Sequence, residues 1–366
     1  MFNIPVKSVS LFACCLLTAV ATISADQFVY VSLLKEKQIL VYHQDARSGI
    51  LTKKHTVSCP AEPAYLASSR DGRWLLASLR STGQLASFRI DPADGSLTLL
   101  NVVEGGEDPA FLITDWTDRF LLTAYYIADQ VTVHRIGPDG RLQAEPVQTV
   151  PTADNAHGIA VNTSNTAVFV PHTGANCVYQ FAFDGESGRL KAANPPLVAA
   201  SVGQNPRHVV LHPNDKWAFT SNEAGASQED GVSRFDITEQ NTLVLRQSLS
   251  SLPSDFDAGR NSTSRCQITP NGRFVYVANR GHHSIAGFSV DQNTGELTSL
   301  GQTPTEPVPR SFCITPDGRF LYAAGEASGR LVTYAIEPNG NLMQRNVQDA
   351  GPVAWGVHVV SVPERR

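Results

Sequence analysis

One short stretch of the 366-residue chain combines two apolar segments with three ionisable side chains. The stretch NPRHVVLHPNDKWAFTSNE, residues 205–223, carries Arg207 and His208 near its start and ends at Glu223. An arginine stabilises developing negative charge, while a neutral histidine or a carboxylate can take a proton from water. These residue types can therefore hydrolyse an acyl bond, provided that the fold brings the two ends of the stretch together.

An internal repeat indicates how those ends can meet. A polar turn followed by an aromatic-rich segment recurs seven times, at intervals of 45 to 49 residues except for one interval of 57. This spacing is typical of the four-stranded blades of a β-propeller. The copies begin at Asp26, Asp71, Asp118, Asn165, Asn214, Asn271 and Asp317.

Each repeat predicts the same four strands, which we name A to D from the central channel outward. Strand A precedes the polar turn, strand B follows it, and an Asp/Asn-Gly turn separates C from D, where glycine supplies the positive φ of a hairpin. The chain begins with a strand B after residue 25 and ends with a strand A at 354–360. We therefore predict an all-β fold, a seven-bladed β-propeller of four-stranded antiparallel blades. Its ring is closed by the N- and C-terminal strands in one blade, which leaves no free sheet edge.

In every predicted blade the start of strand A lies beside the end of strand B, on one face of the disc. Four consecutive blades place histidine, arginine and glutamate there, whereas the others place mostly small or aromatic residues. Buried charges need compensation, and the arginines outnumber the glutamates, so we expect a hydrated funnel for an anionic ligand. The predicted cluster consists of His157, His172, Arg207, His208, Glu223, Arg265, Arg280, Arg310 and Glu326.

At these residues the sequence resembles the lactonase family of seven-bladed propellers, which includes 6-phosphogluconolactonases and carboxymuconate lactonizing enzymes. The resemblance covers nearly the whole chain after residue 25, through NPRHVVLHPND, SNE, ITPNGRFVYVANRGHHSIAGF and VPRSFCITPDGRFLYAAG. Arg265 and His172 stand where related sequences often carry acidic residues, which makes this site more cationic. The resemblance implies catalytic roles for His157, Arg207, Glu223 and Arg280.

These residues and the resemblance predict a lactonase that hydrolyses a sugar-type lactone with activated water, as a 6-phosphogluconolactonase does. Neutral His157 is the expected general base, and Glu223 orients it, positions the water or takes the proton itself. Arg207 and Arg280 are expected to stabilise the oxyanion. Neither G-x-S-x-G nor H-E-x-x-H occurs, so no serine nucleophile, metal or cofactor is expected. The predicted substrate-binding residues are His208, Arg310, Arg265 and His172.

Other functions are compatible with the same pattern. One is the reverse chemistry, ring closure on an unsaturated diacid by a lactonizing cycloisomerase. Another is a non-catalytic propeller that binds an anionic ligand or a protein partner on this face. In a purely structural role, Arg207 would only pair with Glu223, and Arg310 would connect two blades.

Residues 1–25 are predicted to be a signal peptide, because Lys7 precedes an apolar run that ends in small residues before Asp26. LFAC, which ends at Cys14, also resembles a lipoprotein cleavage box, but the apolar run continues past it. The run is too short for a membrane span. We therefore expect an exported protein, periplasmic or secreted, in which residues 26–366 form a single domain.

Composition limits the partners. The formal net charge of -5 and the absence of a basic stripe argue against nucleic acid and leave a small-molecule anionic lactone or sugar acid as the expected partner. Phosphorylated sugar lactones are cytosolic metabolites, so export favours an unphosphorylated aldonolactone. The four cysteines after residue 25 form no C-x-x-C pair, which predicts buried free thiols.

Overall fold

The computed structural model describes residues 26–224 and 231–362, which form seven four-stranded antiparallel sheets arranged as a propeller. This confirms the predicted fold class. The first strand of the chain pairs with the last, with Tyr30 opposite His358, so the two ends close the ring as predicted. The predicted signal peptide lies outside the described residues.

We number the strands β1 to β28 in chain order. Blade 1 contains β4 (Pro63–Ser68), β5 (Trp74–Leu79), β6 (Gln84–Ile90) and β7 (Leu97–Glu104). Blade 2 contains β8 (Pro109–Thr114), β9 (Phe120–Tyr125), β10 (Gln130–Arg135) and β11 (Gln148–Pro151). Blade 3 contains β12 (Ala160–Val161), β13 (Ala167–His172), β14 (Cys177–Asp184) and β15 (Arg189–Ala199). Blade 4 contains β16 (Pro206–Leu211), β17 (Trp217–Asn222), β18 (Val232–Ile237) and β19 (Leu243–Leu249).

The remaining blades complete the ring. Blade 5 contains β20 (Thr263–Ile268), β21 (Phe274–Asn279), β22 (Ser284–Val290) and β23 (Leu297–Pro304). Blade 6 contains β24 (Pro309–Ile314), β25 (Phe320–Gly325), β26 (Arg330–Ile336) and β27 (Leu342–Asp349). Blade 7 combines β28 (Ala354–Ser361) with β1 (Gln27–Leu33), β2 (Gln38–Gln44) and β3 (Leu51–Ser58).

The long interval in the repeat corresponds to an insertion between blades 4 and 5. It contains a single turn of 3-10 helix, Ala258–Arg260, which is the only helical segment in the described part of the chain. No helix there is long and apolar enough to cross a bilayer. An isolated bridge between Ala224 and Ser262 joins this insertion to the loop that follows β17.

Apolar clusters fill the interfaces between neighbouring blades. One cluster joins blades 7 and 1 through Phe28 and Phe88, for example, and Trp217 packs in another between blades 4 and 5. Gly95, at φ +74°, lies so close to the Phe28 ring that a Cβ would collide with it. The C–D turn therefore requires glycine both for its backbone conformation and for blade packing. The four predicted free thiols are confirmed, since Cys59, Cys177, Cys266 and Cys313 are buried and unpaired.

Six of the seven innermost strands, all except β12, begin with an irregularity in strand register that affects the site. In β16, Pro206 lies opposite Asn222 and His208 lies opposite Ser221, so Arg207 is an extra residue. Such a β-bulge re-aims side chains and bends the strand. Equivalent register shifts occur at the start of β4, β8, β20, β24 and β28.

Candidate active site

The bulges bring side chains from several blades to one mouth of the central channel. A small cavity of about 20 Å³ lies there, enough for about one water molecule. Arg207 and His208 both line it, because the bulge turns two successive residues of β16 towards the channel. The full lining consists of Tyr65, Arg80, Ala110, His157, Arg207, His208, Arg310, Ser311 and Trp355.

Glu223 connects two of the predicted catalytic arginines. Its Oε1 lies 3.5 Å from Nε of the buried Arg207 and accepts a hydrogen bond from Nη2 of Arg280. Arg280 Nη2 also donates to the Thr263 carbonyl at 3.2 Å and to Ser262 Oγ. The insertion between blades 4 and 5 therefore holds Arg280 in place against Glu223.

Two histidines contact each other beside Arg207. The rings of His157 and His208 have centroids 5.4 Å apart, and both side chains are buried. Arg207 Nη1 lies 3.3 Å from His208 Nε2. Because a guanidinium can only donate, His208 Nε2 is the acceptor and its ring proton is on Nδ1. In His157, Nδ1 is enclosed without a hydrogen-bond partner among the described residues, so Nε2 is the nitrogen left to meet a ligand in the cavity.

The electrostatic environment keeps both histidines neutral. Burial and then the charge of Arg207 hold the pKa of each imidazole well below its ordinary value. Burial alone would raise the pKa of Glu223, but Arg207 and Arg280 outweigh it and hold that pKa below the usual range. Near neutral pH the cluster therefore contains two uncharged imidazoles and one carboxylate.

A second group of charges lies on the other side of the cavity. Arg310 Nη1 donates to Glu326 at 3.2 Å, and its guanidinium carbon lies 3.6 Å from the centre of the Trp355 ring. Arg80 approaches the same ring at 5.4 Å and donates through Nη2 to Asp108 at 2.8 Å. Burial, opposed by Glu326, lowers the pKa of Arg310 to about 10, so it remains a cation.

His172 is not brought to this cluster. Its Nδ1 lies 2.9 Å from the Val170 carbonyl, and its ring packs on Tyr179 at 4.6 Å, inside blade 3. In blade 4 the backbone N–H of Glu223 donates to the carbonyl of Asn205, just before strand A. In blade 3 the corresponding bond runs from Thr173 to Asn155, so Thr173, not His172, is the equivalent of Glu223. The predicted site position in blade 3 was therefore wrong by one residue. Because side chains alternate along a strand, a shift of one residue places His172 on the opposite face. Strand A of blade 3 is also shorter than predicted, because residues 157–159 are irregular and only Ala160–Val161 is regular.

Arg265 is close to the cluster but does not line the cavity. It occupies the position in β20 that His208 occupies in β16, one residue further along strand A than Arg207. Its guanidinium carbon lies 4.9 Å from the centre of the Tyr65 ring and 5.1 Å from that of Phe111. The structure thus places seven of the eight predicted site residues in or next to one cluster and separates His172 from it.

Sequence reasoning did not assign a role to Arg80, Asp108, Tyr65, Phe111 or Trp355. The available indication was the repeat itself, because Pro63, Pro109, Pro206 and Pro309 stand at the same point of four blades. In the structure, residues at both positions after these prolines line the cavity, as Arg207 and His208 do. Asp108 precedes one of them and adopts φ +61°.

Comparisons with known proteins agree with this fold. Residues 24–359 match the family described as Lactonase, 7-bladed beta-propeller. The 6-phosphogluconolactonase of Pectobacterium carotovorum subsp. carotovorum (strain PC1) is 31% identical over 316 residues, covering 86% of this chain and 79% of the relative. That of Enterobacter sp. (strain 638) is 31% identical over 324 residues, covering 88% and 82%.

A solved structure, the periplasmic gluconolactonase of Pseudomonas aeruginosa, superposes with a TM-score of 0.84 at 24% identity, covering 93% of this chain and 100% of the other. That likeness bears on the fold. The family match and the relatives together establish that this chain belongs to the lactonase family of seven-bladed β-propellers. It is an enzyme of the lactone-hydrolysing class.

Proposed function

We propose that this enzyme hydrolyses the lactone of a sugar acid at the channel mouth lined by His157, Arg207 and Arg310. One arrangement carries the proposal. The neutral imidazoles of His157 and His208 contact each other beside Arg207, which pairs with Glu223. They border a cavity large enough for about one water. The names of the relatives support a sugar lactone as the substrate class.

In the first step, His157 Nε2 takes a proton from water while the water oxygen attacks the lactone carbonyl carbon. His157 suits this role because its neutral form dominates near pH 7. The resulting imidazolium then returns the proton to the ring oxygen as the tetrahedral intermediate collapses. Water is thereby added across the ester bond, which gives the open-chain hydroxy acid.

Arg207 and Arg280 supply positive charge for the oxyanion of that intermediate. Glu223 contacts both guanidinium groups, and no hydrogen bond or ion pair among the described residues joins it to His157. We therefore assign Glu223 to positioning the arginines rather than to orienting the imidazole. His208 accepts from Arg207 and keeps the guanidinium next to the cavity.

Charge supports an unphosphorylated substrate. Four arginines at the cavity mouth, Arg80, Arg207, Arg280 and Arg310, are matched by three carboxylates, those of Asp108, Glu223 and Glu326. Within these ion pairs one positive charge is in excess, which corresponds to one developing oxyanion, whereas a phosphate group would add further negative charge. The predicted signal peptide supports the same choice, since an exported enzyme meets unphosphorylated aldonolactones, and we propose that the mature chain begins at Asp26.

The test is to follow acid release from glucono-δ-lactone and from its 6-phospho form, each corrected for spontaneous hydrolysis. We expect acceleration of both with a higher kcat/KM for the unphosphorylated lactone. His157→Gln should lower kcat by about 10²–10⁴-fold, the typical range for a general base. Glu186→Gln, at an exposed carboxylate paired with Arg119, is the control and should leave kcat unchanged.

Two results would contradict the proposal. Failure to accelerate either lactone would favour a propeller that only binds its ligand. A His157→Gln variant with full activity would exclude this imidazole as the base. Preference for the phosphorylated lactone would overturn the charge argument but not the reaction type.

A further inference from the structure

Arg265 is a buried cation whose contacts do not account for its charge. The side chain is 8% exposed and its Nε has no hydrogen-bond partner. Within residues 26–224 and 231–362, no carboxylate forms an ion pair with it, since those of Glu223 and Glu326 bind other arginines. Its described neighbours are Tyr65, whose side chain also makes a polar contact with the guanidinium, and Phe111, and these two rings stack on each other at 3.9 Å.

These aromatic contacts compensate the charge only in part. Cation–π contacts with two rings attract the guanidinium, but they provide no counter-charge and leave its buried Nε–H without an acceptor. A buried charge without a counter-charge is costly, and arginine does not escape that cost by losing its proton. The carboxylates at this end of the channel, those of Asp108, Glu223 and Glu326, are bound to other arginines.

We propose that the central channel binds a small monovalent inorganic anion, of the halide class, at the guanidinium of Arg265. The ion neutralises the only site cation that has no carboxylate partner in the described chain. It accepts hydrogen bonds from the guanidinium, and the edges of the surrounding rings provide a weakly polar enclosure.

On the side of the channel opposite the catalytic mouth, a neutral histidine lies within the electrostatic influence of Arg265. A cavity of about 340 Å³ opens there, and Ser68 and His358 are among the residues that line it. His358 Nε2 lies 2.9 Å from Ser68 Oγ. Burial and then the positive charge of Arg265 lower the pKa of His358 to about 3, so this imidazole is neutral and does not repel an anion.

The anion is distinct from the substrate. Tyr65 and His208 line the catalytic cavity, whereas Arg265 does not, and the cavity itself holds about one water molecule.

The first test uses bromide as the probe, in crystals of the whole protein grown with sodium bromide. Anomalous scattering should reveal a bromide within hydrogen-bonding distance of the Arg265 guanidinium. Bromide sites elsewhere on the protein but none at Arg265 would overturn the proposal. A gluconate carboxylate at this guanidinium, in crystals soaked with the product, would assign Arg265 to the substrate site instead.

The second test measures thermal unfolding while sodium bromide replaces sodium methanesulfonate at constant ionic strength. We expect Tm to rise saturably, by about 2 °C at ten times the half-saturating bromide concentration. Arg265→Met should abolish the saturable rise, and Arg260→Met, at an exposed arginine of the 3-10 turn, should retain it. No saturable rise in the wild type, or one that survives Arg265→Met, would refute the site.

If Arg265→Met does not fold, the bromide crystals of the wild type still decide the question. Neither measurement depends on lactone hydrolysis, so the anion site and the proposed activity can fail independently.

Discussion

The two sides of the channel mouth have equivalent backbones and opposite chemistry. The charged arc consists of His157, Arg207, Glu223, Arg280, Arg310 and Glu326, from blades 3 to 6. The aromatic arc consists of Tyr65, Phe111, Tyr126 and Trp355 with Ala64 and Ala110, from blades 7, 1 and 2. Ala110 and Arg310 are both the extra residue of a bulge that follows a proline. The propeller thus supplies equivalent positions, and residue identity alone decides which of them act on a substrate.

Arg80 and Asp108 qualify this division. They belong to blades 1 and 2, but they are paired with each other, so they add little net charge to the aromatic arc. In the charged arc, Glu223 contacts two arginines and leaves excess positive charge beside the cavity. The lactone carbonyl is expected to face the charged arc, and the sugar ring is expected to face Trp355 and Tyr65.

The largest expected difference between the arcs is catalytic. Arg280→Met should lower kcat about 10²–10³-fold, the typical effect of removing one oxyanion donor. Arg80→Met, the matched substitution on the aromatic arc, should mainly raise KM and leave kcat within about tenfold, because Arg80 is bound to Asp108. Steady-state kinetics on glucono-δ-lactone measure both. Equal losses of kcat in Arg280→Met and Arg80→Met would contradict the proposal that the charged arc stabilises the oxyanion and the aromatic arc does not.

The next effect concerns acid stability. His157 and His208 have lowered pKa values in the folded protein, so the unfolded chain binds more protons below pH 6.5 and stability falls as pH falls. Each histidine should contribute a loss of about 2 kcal/mol by pH 5. Urea unfolding between pH 5 and 7.5 should therefore give a shallower pH dependence for His208→Gln than for the wild type.

The control for that measurement is Tyr126→Phe. Tyr126 contacts the His157 ring at 5.3 Å from the aromatic arc, and the substitution leaves both histidines in place. Its pH dependence should match that of the wild type. An unchanged slope in His208→Gln would show that burial and the charge of Arg207 do not keep this imidazole neutral.

The smallest expected effect is at the boundary between the arcs. Trp355 lies against Arg310, and a cation–π contact of this kind contributes about 1 kcal/mol. Trp355→Leu should therefore raise KM several-fold with little change in kcat, whereas Trp355→Phe should retain most of the affinity. A large loss of kcat in Trp355→Leu would place this ring in contact with the reacting atoms.

Most of the fold was predictable because local patterns repeat. The blades could be defined from the seven polar turns and the Asp/Asn-Gly turns. The closure between β28 and β1 followed because the first predicted strand is a strand B and the last is a strand A. Arg207, Glu223 and Arg280 were placed on the same face by the same reasoning. His172 was misplaced because the reasoning located strand ends to within one residue, and side-chain direction alternates with every residue.

The sequence by itself determined the number of blades, the closure of the ring and the side of the disc that carries the charged residues, because these follow from periodic patterns within each repeat. Only the tertiary structure decided which side chains meet. The bulges that turn Arg207 and His208 into one cavity, and the ion pair between Glu223 and Arg280 across two blades, depend on distances between segments far apart in the chain. Such contacts form through space, and no spacing along the chain specifies them.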